Sequence, residues 1–425
     1  MERLIVRGGR RLHGTVRVAG NKNAAGPTLA AALLTDEPVR LQNLPGIGDV
    51  EVFIDLLRGL GVEIERGEDG ALVASAARVS SGRVDAQLGR EIRMSLLVAG
   101  PLLARLGHVE LPPPGGDVIG RRRIDTHLLA LQALGAKVDA SRDGYRLSAG
   151  RLHGADILLD EMSVTATENV LLAAVLADGR SVIRNAASEP HVQDLCALLN
   201  TMGARITGVA TNCLTVDGVE RLHGAGFTIG PDYLEVGSFI GLAAVTRSAL
   251  RIAGCRPDQH GMTRIMFNRL GVDWRVDGDD IVVSDDQLLA VVDDQGNAVP
   301  KIDDAPWPGF PADLISIATV IATQARGAVL VHEKLYESRL FFVDRLIAMG
   351  ARIVLCDPHR AVVIGPSPLY GQALVSPDIR AGMAMLIAAL CAQGESVIDN
   401  VHQIDRGYER IEERLVALGA DVRRA

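Results

Sequence analysis

The chain has 425 residues, 48% apolar and 23% charged, with 44 Lys and Arg against 52 Asp and Glu for a net charge of −8. A net-acidic chain lacks the basic surface that sequence-independent nucleic-acid binding requires. Its longest nearly uncharged apolar run, AGMAMLIAALCA from Ala381, is 12 residues, short of the roughly 18 needed to cross a bilayer, so no membrane span is expected.

The opening MERLIVRGGRRLHG carries charge through its apolar part and has no signal-peptide core, which predicts a cytoplasmic protein. Residues 1–21 read as a strand pair. Beyond them a short phrase recurs six times: an amphipathic stretch ending in Leu or Met, then Gly, then Ala or Val, then an alternating strand. Its glycines are Gly61, Gly135, Gly203, Gly271, Gly350 and Gly419, spaced 74, 68, 68, 79 and 69 residues apart. Each stands where a helix should end and a strand begin, a place for a left-handed cap. Each unit also carries an Ala/Leu-rich helix, apolar on nearly every side and therefore buried: PTLAAALL, MSLLVAGPLLA, NVLLAAVLA, SFIGLAAV, LISIATVIA and MAMLIAALCA. The pattern predicts an α+β chain of six βαβαββ repeats, three per domain. Residues 22–229 form one domain and 1–21 plus 230–425 the other, with three independent two-unit domains as the alternative. The five cysteines (Cys196, Cys213, Cys255, Cys356, Cys391) show no CxxC or Cys/His ligand spacing, so neither a disulfide framework nor a zinc or other metal site is expected.

Equivalent turns of homologous repeats gather on one side of a domain, so residues far apart in sequence can converge. Lys22, Arg93, Arg122, Arg339, Arg380 and Arg406 all occupy buried-helix starts or mid-unit loops. Helix starts facing a common cleft, with guanidinium groups beside them, predict an anion site. Neither GxxxxGK[ST] nor a strand-linked GxGxxG is present, which gives no support to a P-loop or dinucleotide fold.

Over essentially its whole length the chain resembles the UDP-N-acetylglucosamine 1-carboxyvinyltransferase family of enolpyruvyl transferases. The motifs that carry the likeness are NKNA, IRMS, PGGDVIGRRRIDTH, SVTATEN, NAASEP, PDYLEVG, PGFPADL, YESR, SPDIRAG and IDRGYE. The resemblance implies a two-domain inside-out α/β barrel, pseudo-threefold in each domain, with the active site in the cleft between them and a catalytic lid loop carried by the 22–229 domain. It implies transfer of the enolpyruvyl group of phosphoenolpyruvate to the 3-hydroxyl of UDP-N-acetylglucosamine, with loss of phosphate and without a cofactor, at the first committed step of peptidoglycan synthesis. Asp313 matches the base for the sugar hydroxyl, with an N-cap of the fifth buried helix as its other reading. Lys22, Arg122 and Arg406 match phosphate contacts, Arg339 and Arg380 match positions near the phosphoenolpyruvate carboxylate and the reacting centre, and Asp378 matches a substrate-binding position. Asn23, Arg93, Arg122, Arg123, Ile124, Asp125, Thr126, Ser163, Val164 and Leu335 match the nucleotide-sugar surface. Asp117 stands in PPPGGDVIG, read as a lid, where most members carry a cysteine. The carboxyl would serve in place of the thiol, so fosfomycin, which alkylates that cysteine, should not inactivate this protein.

Departures cluster on the acceptor side: Glu161, Thr165 where glycine is usual, Ser188, Tyr233, Ala312 and Ile315. They keep two alternatives in view, a paralogue acting on another UDP-sugar or nucleotide, and a non-catalytic UDP-sugar-binding regulatory protein. His127 and His402 are expected to play structural or supporting roles.

Overall fold

The computed structural model describes residues 2–117 and 119–425. The chain divides into two units: a terminal unit, made of residues up to Ala19, Asp117–Arg122 and Pro231–Ala425, and a central unit, Gly20–Gly116 with Arg123–Gly230. The expected boundaries at 21/22 and 229/230 compare with 19/20 and 230/231. The described residues of the segment expected as a lid, Asp117 and residues 119–122, group with the terminal unit rather than with the central one. Their contacts give the reason: Ser338 N donates to Ile119 O at 3.1 Å, and Arg121 N donates to Glu337 Oε2 at 3.1 Å.

The repeat is legible in the hydrogen bonding. In Asp156–Leu158, Val164–Ala174, Arg180–Arg184, Pro190–Thr201, Arg205–Thr207 and Cys213–Asp217, the first strand runs parallel to the third element through the buried helix. The last two strands form a hairpin beside it. Five of the six sheets are four-stranded with this one-parallel pattern. The sixth (His108–Leu111, Gly144–Ser148, Lys137–Ser141) has three strands, and the place of its parallel strand is taken by the single bridge Arg83 to Glu110. Arg3–Arg7 lies antiparallel between Glu395–Asp399 and Asp421–Arg424, while His13–Arg17 runs parallel to Ala249–Ala253, so the N-terminal segment completes two sheets of the terminal unit.

All six repeat glycines adopt positive φ, from 74° to 109°. Each ends its helix in the same way: the glycine N–H bonds three residues back and the next N–H five back, as in Gly203 N to Asn200 O at 3.1 Å and Ala204 N to Leu199 O at 2.9 Å. This is the Schellman cap, which needs a residue without a Cβ penalty at that φ.

In the terminal unit the helices Tyr233–Val245, Ile315–Gln324 and Ile379–Cys391 pack on one another, and every residue of the first is buried. In the central unit the corresponding three are Lys22–Ala31, Val164–Ala174 and a composite of the 3-10 turn Arg93–Val98 with Ala99–Leu106. Pro101 accounts for the composite. Its ring opposes an α-helical carbonyl four residues back, so the α-helix starts at Ala99 with Pro101 in its first turn. The sheets lie outside these helices; Arg180–Arg184, for instance, alternates exposed and buried residues. Helices inside and sheets outside is the inside-out arrangement. Close approach requires small residues: a Cβ on Gly241 would stand 2.5 Å from Ile317 Cγ2. Each unit has its own apolar core.

Candidate functional site

The candidate residues fall into two sets, one in each unit. In the central unit the helix Lys22–Ala31 is opened by Asn21, whose side chain accepts from Asn23 N at 2.8 Å and Ala24 N at 3.2 Å. The buried Lys22 ammonium is held 2.8 Å from Asp49 Oδ2, in the first turn of Gly48–Gly59. Arg93 donates to Arg123 O at 2.7 Å. Arg123 in turn bonds Asp125 and Asp160, both at 3.0 Å, and Thr126 Oγ1 donates to Asp160 Oδ1 at 2.7 Å. Ser163 caps Val164–Ala174. His127 lies buried beneath that cap, with its Nε2 3.0 Å from Thr165 Oγ1. Burial, with the Arg93 charge second, lowers His127 to about 3, so its ring is neutral at physiological pH. A cavity of about 620 Å³ opens at the other, C-terminal ends of these helices, lined by Leu34, Arg105 and Leu176 among others. None of the candidate residues lines it.

In the terminal unit Asp313 lies in the 3-10 turn Ala312–Leu314, ahead of Ile315–Gln324. Its carboxylate is held by two guanidiniums, Arg339 Nη2 at 2.7 Å from Oδ1 and Arg380 Nε at 3.3 Å from Oδ2. Arg339 and Arg380 are only 4% and 5% exposed and Asp313 25%, so these ion pairs are largely desolvated and strongly orienting. Arg380 follows the cap residue Asp378, whose Oδ1 accepts from Arg380 N and Ala381 N. Its guanidinium also donates to Tyr408 Oη at 3.2 Å and lies 5.4 Å over that ring. Tyr408 is 2.9 Å from Ser238 Oγ, which donates to Leu234 O, so the Arg380 charge is tied through Tyr408 to the buried helix Tyr233–Val245. Burial raises Asp378, partly offset by Arg339 and reinforced by Asp117. Arg406, just after His402–Asp405, donates to Asp117 Oδ1 and to Gln403 Oε1, both at 2.7 Å. Arg122 contributes a positive field at Tyr336. Leu335 is exposed on the same loop.

The structure thus brings Asp117, Asp313, Arg339, Asp378, Arg380 and Arg406 into one neighbourhood of the terminal unit, and links Arg93, Arg123, Asp125 and Thr126 in the central unit. The segment Arg122–Thr126, expected as one surface, is parted after Arg122, which groups with the lid. Sequence reading missed Asp49, and it missed the fully buried carboxyl pair Asp304 and Glu333. Asp304 accepts from Lys334 N and from Leu335 N at 3.2 Å, while Glu333 Oε1 accepts from Leu335 N at 3.2 Å and Tyr336 N at 3.1 Å. Burial, then Asp304, pushes Glu333 up to about 9 against the opposing pull of Arg339. Glu333 therefore keeps its proton at pH 7, and the two carboxyl groups clamp the loop that leads to Arg339. The available signal was the acid closing the apolar strand AVLVHE. Among the described residues no group of three or more His, Cys, Asp or Glu is placed to hold a metal ion.

Arginines paired to carboxylates in this way can exchange those partners for phosphate or carboxylate ligands, and Asp313 can accept a proton from a hydroxyl placed against it. Comparison with known proteins gives this chemistry a context. The family model described as EPSP synthase (3-phosphoshikimate 1-carboxyvinyltransferase) matches residues 6–415. The UDP-N-acetylglucosamine 1-carboxyvinyltransferase of Treponema denticola is 55% identical over 422 residues, covering 99% of both chains. That of Bradyrhizobium diazoefficiens is 57% identical over 420 residues, covering 99% of this chain and 97% of its own. Among solved structures, the enolpyruvyl transferase NikO from Streptomyces tendae superposes with a TM-score of 0.88 at 26% identity, covering 100% of this chain and 99% of its own. EPSP synthase from Acinetobacter baumannii, at 16% identity and a TM-score of 0.75 over 100% of this chain and 99% of its own, shares the fold.

Proposed function

The chain belongs to the UDP-N-acetylglucosamine 1-carboxyvinyltransferases, within the wider EPSP synthase family whose model spans it, and on that premise we propose how its two residue sets perform the reaction. The enzyme transfers the enolpyruvyl group of phosphoenolpyruvate to the 3-hydroxyl of UDP-N-acetylglucosamine, releasing phosphate, in peptidoglycan synthesis. The observation that carries the residue assignment is the doubly held Asp313, a carboxylate fixed by two buried arginines with a quarter of its side chain open. In the addition step the sugar O3 bonds to C2 of phosphoenolpyruvate as its proton passes to Asp313 and a proton is delivered to C3. In the elimination step the C2–O(phosphate) bond breaks, its electrons leave with phosphate, and C3 gives up a proton to restore the double bond.

Arg339 and Arg380 hold the phosphoenolpyruvate carboxylate and Arg122 and Arg406 its phosphate, where charge develops on the leaving group. Phosphate takes Arg406 from Asp117, which frees the lid carboxyl to exchange a proton with the reacting centre. Asn23, Arg93, Arg123, Ile124, Asp125, Thr126, Ser163, Val164 and Leu335 receive the nucleotide sugar. No described helix is long and apolar enough to cross a membrane, which accords with work in the cytoplasm on soluble substrates. The full-length identity to enzymes of one name favours this acceptor over another nucleotide and over a silent binding protein.

Inorganic-phosphate release from phosphoenolpyruvate tests the assignment. Wild type should release phosphate only when UDP-N-acetylglucosamine is present, and fosfomycin should not abolish it. D313N and R406A should each lose at least about a hundredfold in turnover, the scale of a lost acid–base or charge-stabilising group. Wild-type turnover in D313N would remove Asp313 from the base role.

A further inference from the structure

Thr165 stands where the resemblance leads one to expect glycine, and its hydroxyl is fixed by a buried chain of hydrogen bonds. The chain begins at Asn169, whose amide orientation is set from two sides: Oδ1 accepts from Gly100 N at 2.6 Å, and Nδ2 donates to Leu96 O at 2.9 Å. The remaining Nδ2 hydrogen points to His127 Nδ1 at 3.1 Å. Nδ1 must therefore accept, which leaves the ring hydrogen on Nε2. That nitrogen is 3.0 Å from Thr165 Oγ1, so Thr165 accepts from His127. One of its lone pairs is used, and its own hydrogen is left to donate outward. Among the described residues it donates to no protein acceptor. Thr165 is half-buried, two residues after the cap Ser163 and next to Val164, on the surface assigned above to the nucleotide sugar.

We propose that Thr165 is an acceptor-binding contact of this enzyme: its hydroxyl, oriented by His127 and Asn169, donates to a phosphate oxygen of the acceptor's diphosphate. The inference rests on the nucleotide-sugar reading of this surface. A glycine at this position would let the backbone come up to a diphosphate. A β-branched residue holds the backbone back, and the hydroxyl supplies the donor instead. His127 and Asn169 are positioning residues. A cationic ring would carry a proton on Nδ1 facing the Asn169 amide hydrogens, so the relay requires the neutral form that burial enforces. The charged group facing His127 is Arg93, which opposes protonation further.

Equilibrium binding of UDP and of uridine to the full-length protein, with steady-state kinetics, tests this. T165V should weaken UDP binding and raise the KM for UDP-N-acetylglucosamine roughly tenfold or more, the scale of one hydrogen bond to a charged group. Uridine binding and the KM for phosphoenolpyruvate should stay at wild-type values, and T165S should recover most of the loss. Should T165V not fold, T165A, which removes the hydroxyl and keeps the Cβ that holds the backbone back, carries the same expectation. Equal loss for UDP and uridine, or no loss for UDP, overturns the proposal. Absence of phosphate release by wild type with UDP-N-acetylglucosamine would instead overturn the acceptor assignment, and UDP binding by the variants would still decide the role of Thr165.

Discussion

Glu333 shows how one buried side chain conditions the arginine–carboxylate set around Asp313 from behind. It is fully buried beside Asp304, and together they hold the N–H groups of Lys334, Leu335 and Tyr336, the turn from which Arg339 reaches Asp313. Folding raises Glu333 from its ordinary 4.5 to about 9. Between those values the unfolded chain has released the proton that the folded chain keeps. The contribution of this group is complete below pH 4.5 and is lost progressively as pH rises toward 9. E333Q is neutral in both states, and its amide oxygen can still accept from Leu335 N and Tyr336 N. The thermal midpoint of E333Q relative to wild type should therefore improve steadily from about pH 5.5 to about pH 8.5. A difference that does not change with pH contradicts a protonated Glu333. Sequence patterning did not reveal this carboxyl pair, nor Asp49 beside Lys22, because hydrophobic periodicity locates apolar faces and says nothing about which acids are folded beneath them. Asp313 and Arg380 were legible because they stand at starts of helices whose apolar character is unmistakable.

At the scale of elements, the recurring glycine was the most informative letter in the chain. A helix that must stop and reverse into a strand needs a left-handed residue, and glycine meets that need at all six places. Gly135 isolates the effect, since φ is 102° and the nearest atoms to an added Cβ are at 3.8 Å or beyond. G135A should then cost about 1–2 kcal/mol through backbone conformation alone. Gly59, helical and with nothing within 4 Å of an added Cβ, is the control, and G59A should be neutral or stabilising by up to about 1 kcal/mol. Equal effects in chemical denaturation would contradict the cap assignment. The composite second buried helix and the three-stranded sheet were less legible. Pro101 disturbs a helix that its apolar run marks as continuous, and a lone bridge at Arg83 leaves no alternating pattern to read.

For the whole molecule, counting repeats yielded six units and their allotment as three and three, but not the affiliation of the lid. Asp117–Arg122 interrupts the central unit in sequence and belongs with the terminal unit through Ser338, Glu337 and Arg406. Contacts so distant in sequence leave no local trace. The residues proposed above for the reaction likewise come from different repeats: within the terminal unit Asp313 stands in the fifth, and Arg380 and Arg406 in the sixth. The function became legible only when the loops of all six were taken together. The most direct test is product analysis after incubating the protein with phosphoenolpyruvate and a panel of UDP-sugars. The account predicts one phosphate released for each enolpyruvyl ether formed on the 3-oxygen of UDP-N-acetylglucosamine, with the highest kcat/KM in the panel for that acceptor. Phosphate release without the ether, or an ether formed only on a different acceptor, would contradict it.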